Sequence, residues 1–122
     1  MNDDIDNQGP TTSIVFARLV AVRDIGRHDI LDHNKPRERW DFETEPLANG
    51  VSLVAIHFPK WRHPHSARGK FVRAWLGEAF RPEVLANPQL LLGRAALLEI
   101  KTSVNSERKF YHWIVAARFI EE

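Results

Sequence analysis

The chain has 122 residues and a mass of 14.1 kDa, which suits one domain. Its 43% hydrophobic and 27% charged residues exclude a wholly disordered or fibrous chain, and no apolar run approaches the roughly 18–20 residues of a membrane-spanning helix. The net charge of +1 hides an asymmetry: five of the 16 acidic residues, Asp3, Asp4, Asp6, Glu121 and Glu122, sit at the ends, so residues 13–120 carry all 17 Lys and Arg against 11 acids, a net +6.

Met1 to Thr12 (MNDDIDNQGPTT) is polar and aperiodic, with no basic residue and no apolar segment. It reads as a disordered acidic tail rather than a secretory or transit peptide, with a single folded domain over residues 13–122. The absence of cysteine excludes disulfides, thiolate zinc sites and a cysteine nucleophile, and points to a reducing cytoplasm.

The first predicted strand is Ile14 to Arg23 (IVFARLVAVR), β-branched and apolar on both parities, as expected of a barrel strand covered on two sides. Asp24 to Pro36 reads as a loop. Arg37 to Thr44 (RERWDFET) alternates, with Arg37, Arg39, Asp41 and Glu43 on one face and Trp40 and Phe42 on the core face. Pro46 to Gly50 supplies a turn, and Val51 to Phe58 (VSLVAIHF) gives a third strand that stops at Pro59, which has no N–H to donate.

The period then changes. Ser66 to Leu76 (SARGKFVRAWL) sets Phe71, Val72, Trp75 and Leu76 at helical spacing, with Arg68, Lys70 and Arg73 mostly off that stripe, Ser66 as N-cap and Gly77 just past the end. Pro82 to Ala86 reads as one further turn. Gly93 to Thr102 is a fourth strand with Ala96, Leu98 and Ile100 on one face and Leu97, Glu99 and Lys101 on the other. Lys109 to Ile120 (KFYHWIVAARFI) is a fifth, either parity of which could face inward, and Ser103 to Arg108 between them has hairpin composition. The expected fold is therefore all-β with one main helix in the order β-β-β-α-β-β, the order of the five-stranded OB-fold, a Greek-key barrel whose helix plugs one end.

Several segments, FARLVAVRDIG, VAIHF, SARGKFVRAWLGEAF, LLLGRAALLEI and KFYHWIVAARF, together resemble a group of small phage and mobile-element proteins of OB-fold type that bind single-stranded DNA. The resemblance spans residues 14–119 and is most specific in Trp75-Leu76-Gly77 with Phe80 beyond it, and in Leu91-Leu92-Gly93. The chain departs from that pattern at His57 and Phe58, where the group has a tyrosine and a basic pair, and at Phe110, His112 and Trp113. The resemblance implies a cytoplasmic, non-enzymatic protein of phage or mobile-element replication or recombination. Its partners would be single-stranded DNA (RNA being the alternative), a second copy of the chain, and replication or recombination proteins. No membrane and no cofactor is implied.

Binding single strands without sequence preference takes cations for phosphates and flat rings for bases. Arg37 and Arg39 share one face of the second strand, Lys60, Trp61 and Arg62 follow the third, and Arg108, Lys109 and Tyr111 enter the fifth, with Lys101 on the fourth. In OB-folds the face of the second and third strands, with the loops joining strands one to two and four to five, forms the cleft, so these nine residues are the candidate nucleic-acid site. Trp61 reads equally as a stacking platform or as a plug beneath the helix. The competing class is an OB barrel that binds protein through its exposed strand edges.

Signals for other chemistry are weak. His57, His63 and His65, and His28 with His33, match no zinc spacing. Arg27-His28-Asp29 sits in a loop rather than on a metal-binding helix, and no phosphate loop, G-x-S-x-G or dinucleotide fingerprint is present.

Overall fold

The computed structural model describes residues 10–27 and 36–120. The acidic tail Asp3-Asp4-Asp6, the Arg27-His28-Asp29 motif in its His28 and Asp29, His33, and the terminal Glu121-Glu122 lie outside the described residues.

The elements run β1 (Thr11–Arg27), β2 (Pro36–Thr44), β3 (Leu53–Pro59), α1 (Ala67–Leu76), α2 (Glu83–Ala86), β4 (Ala95–Val104) and β5 (Phe110–Arg118), with short 3-10 turns between. All strand pairs are antiparallel, in a five-stranded sheet ordered β3-β2-β1-β4-β5. The sheet curls until β3 and β5 come back against each other, and α1 packs across both, giving a nearly closed barrel. Among the described residues no ladder joins β3 to β5.

β1 is longer than its apolar run at both ends because its two halves serve different partners. Thr11 to Arg18 pairs with β4, and Ala17 to Arg27 pairs with β2. Backbone pairing thus recruits the polar Thr11, Thr12 and Asp24 into the strand, residues that composition assigned to the tail and loop. Register shifts at Val20 and Ile25 insert an extra residue each and bend the strand from one partner to the other. The expectation that β1 is covered on two sides is corrected. Ala17 and Leu19 face the core, but Ile14, Phe16 and Val20 are each 44% exposed, because none of the described residues covers the outside of the barrel there.

The barrel interior is aromatic. Trp40 and Phe42 of β2 are fully buried and meet Phe58 of β3 and Phe71 and Trp75 of α1 edge-on, at centroid separations of 5.4–6.3 Å. The helix has the ends its sequence calls for. The Ser66 hydroxyl accepts the Gly69 N–H, and Gly77, at φ 55°, donates its N–H to the Arg73 carbonyl. Gly69 is needed for close approach: a Cβ there would stand 2.4 Å from the His63 carbonyl oxygen.

Arg68 does not stay off the buried stripe. It is 2% exposed, its Nε and Nη2 donate to Glu38 Oε1 at 2.9 and 2.8 Å, and its Nη1 donates to the carbonyls of Trp61 and Leu85. Glu38, also buried, accepts the Trp40 indole N–H at 2.8 Å as well. A buried charge is tolerable only when fully paired, and this network pairs both.

On β5 neither parity faces inward throughout. Ile114 and Ala117 are buried, three residues apart, because a bulge at Val115 lies between the Ile100–Ile114 and Glu99–Ala116 pairs and reverses the alternation.

Candidate nucleic-acid interface

The sheet register gathers five of the nine candidate residues at one end of the barrel. Arg37 stands opposite Pro59 and Arg39 opposite His57, so the second-strand arginines lie beside the Lys60-Trp61-Arg62 segment that leaves β3. The same ladder brings in Arg23, which faces Arg39 from β1. Arg39 Nε donates to Asp41 Oδ1 at 2.7 Å and Arg23 Nε approaches Asp41 Oδ2 at 3.3 Å. Lys60 pairs with Asp24 at 3.0 Å. The Trp61 backbone is held at both its polar groups, its N–H by the Pro59 carbonyl at 2.8 Å and its carbonyl by Arg68 at 3.0 Å, while the residue is 48% exposed.

The other four candidates lie elsewhere. Lys101 faces Trp113 across the β4–β5 ladder, and Arg108, Lys109 and Tyr111 belong to or follow the hairpin after Val104. Asn105 builds this turn: its side-chain oxygen accepts the N–H groups of Glu107 and Lys109 at 2.9 Å each, and its amide donates to the Tyr111 hydroxyl at 3.2 Å. Arg108 there adopts φ 63°. Tyr111 and Trp113 are 50% and 40% exposed.

The nine residues therefore form two groups. Ile56 to Pro59 border a groove with Val115 and Ala116, whereas His112, near the start of β5, reaches Asn49 in the turn before β3. The groups stand at opposite ends of the β3–β5 seam. A strand of 7 residues separates them, roughly 20 Å at about 3.3 Å per residue. Sequence reasoning treated them as one cleft; only the parallel run of the seam, which no local pattern encodes, reveals the gap.

No family model, curated protein or solved structure matches this chain.

The chemistry of the two ends differs. Among the described residues, Arg62, Lys101 and Arg108 make no ion pair, while Arg39, Lys60 and, loosely at 4.0 Å, Lys109 face carboxylates. The outer surface between the groups exposes Leu53 of β3 and Trp113 and Val115 of β5. Cations at both ends of an apolar, aromatic track match what phosphates and bases require. Sequence reading missed Arg23 and the role of Asp41, since a cross-strand pair gives no local signal. His63 and His65 do approach, with ring centroids 5.3 Å apart, but His63 Nδ1 accepts the His65 N–H, and the described residues contain no group of three metal-ligating side chains. Among them, no helix is long and apolar enough to cross a membrane.

Proposed function

We propose that this chain binds single-stranded nucleic acid, DNA ahead of RNA, and performs no reaction of its own. The observation that carries the reading is the register that sets Arg37 and Arg39 of β2, with Arg23 of β1, beside the Lys60-Trp61-Arg62 segment, in which Trp61 is half exposed. In this reading the barrel is of OB type with Greek-key connections, and a strand runs along the β3–β5 seam from the Trp61 end to Tyr111 and Trp113. Cations release counterions from the phosphates, and rings stack on bases. The span of roughly 20 Å falls within a site of four or more nucleotides. A role in the replication or recombination of a phage or mobile element rests on the sequence resemblance alone, and a cytoplasmic setting on the absence of cysteine.

The test is fluorescence anisotropy with labelled oligothymidine, oligouridine and a duplex of equal length across a salt series. With about four phosphate contacts at about 0.7 each, the logarithm of affinity falls against the logarithm of salt with a slope near −3. A slope near zero, or duplex bound as tightly as the single strand, refutes the proposal. The second reading, a protein-interaction module, is favoured by one observation: β3 and β5 are sheet edges with no ladder between them among the described residues, open to strand addition. It predicts no oligonucleotide binding at any salt.

A further inference from the structure

Asp41 presents a puzzle. It lies on the outward parity of β2, in a row with Ala21 and Ala55, yet it is 2% exposed. A carboxylate on a surface that attracts a polyanion should weaken that attraction. What covers it is a pair of guanidinium groups, Arg39 on one oxygen and Arg23 on the other, each through Nε. The two flanking alanines carry only methyl groups, which leaves room for both arginines, side by side on the neighbouring rung of the sheet, to reach the carboxylate. The outer parts of the arginine side chains stay open, at 67% exposure for Arg23 and 43% for Arg39. Among the described residues, the Nη groups of both make no hydrogen bond.

We infer that Arg23, Asp41 and Arg39 form a phosphate clamp, in which Asp41 is a positioning residue that orients two guanidinium groups so that their Nη donors face a phosphodiester. Each guanidinium is planar with five N–H donors, so one edge can satisfy a carboxylate while the other engages a phosphate in bidentate fashion. An untethered arginine must lose its side-chain freedom on binding, and holding two in advance removes that cost twice. His57, opposite Arg39 in the next strand, extends the row toward the seam. The inference rests on the proposed single-strand binding and names the contact that would grip the backbone.

It makes a prediction opposite in sign to charge counting. Asp41→Asn removes a negative charge beside two arginines, so electrostatics alone would tighten oligothymidine binding at low salt. The clamp requires the reverse, about a tenfold loss of affinity, with the fold checked by circular dichroism. Affinity equal to or greater than wild type in a folded Asp41→Asn protein overturns the clamp and leaves single-strand binding standing. Absence of oligothymidine binding by the wild type overturns both. The double variants Arg23→Lys/Arg39→Lys and Arg23→Ala/Arg39→Ala decide the matter independently, including when Asp41→Asn does not fold. Lysine keeps the charge but has no fork to divide between carboxylate and phosphate. The lysine pair is expected to bind within about threefold of the alanine pair, and lysine affinity matching wild type refutes the clamp.

Discussion

Arg68→Met tests whether the buried network holds the barrel to its helix. The substitution keeps the length of the apolar stem and removes every donor of the group that joins Glu38 on β2, the Trp61 carbonyl and the Leu85 carbonyl. Glu38 is then left as a buried carboxylate with only the Trp40 indole, and breaking one side of a buried pair costs about 3–5 kcal/mol. With an unfolding entropy of about 2.1 cal/mol/K per residue over a chain of this length, a loss of about 4 kcal/mol lowers the melting temperature by about 15 °C. Glu38→Gln alone is similarly costly, because it strands the guanidinium. The double variant Glu38→Gln/Arg68→Met removes both charges and keeps an oxygen for the Trp40 N–H, so it is expected to cost less than the two singles summed, by about 2–3 kcal/mol. Urea unfolding followed by circular dichroism measures all four proteins. A cost below about 1 kcal/mol for Arg68→Met, or strictly additive singles, refutes the argument that this pair is coupled and buried as described.

Trp61→Ala and Tyr111→Ala are each expected to weaken oligothymidine binding by about 1–3 kcal/mol with little change in melting temperature, since both residues are about half exposed; anisotropy and thermal melts on the same samples separate the two effects. Trp75→Ala does the opposite, costing about 3–5 kcal/mol of stability as a large-to-small change at a residue 1% exposed, and a stable Trp75→Ala protein contradicts the described core. Gly69→Ala is expected to destabilise by about 1–3 kcal/mol in denaturant titration although alanine is the better helix former by about 1 kcal/mol, because its Cβ would meet backbone atoms; a gain in stability refutes the close approach of helix and preceding turn.

The parts of this protein legible in its sequence are those determined by residues near one another in the chain. Ser66, Gly77 and the spacing of Phe71, Val72, Trp75 and Leu76 delimit α1 because capping and helical periodicity act within a few residues. The alternation around Trp40 and Phe42 identifies the core face of β2, and Ala96, Leu98 and Ile100 do the same for β4, because a pleated strand repeats every second residue. Tertiary structure decided what depends on a partner strand. The bulges at Val20, Ile25 and Val115 arise where two strands of unequal residue count must stay paired around a curved sheet, so the sequence of one strand does not announce them. Arg68 looks like a surface arginine until Glu38, 30 residues away in the chain, comes within 2.9 Å. Arg23 and Arg39 look like separate charges until the β1–β2 register sets them opposite each other, both within reach of Asp41. Burial of a charge is stabilised only by its partner, and in a barrel that partner is supplied by register rather than by proximity along the chain.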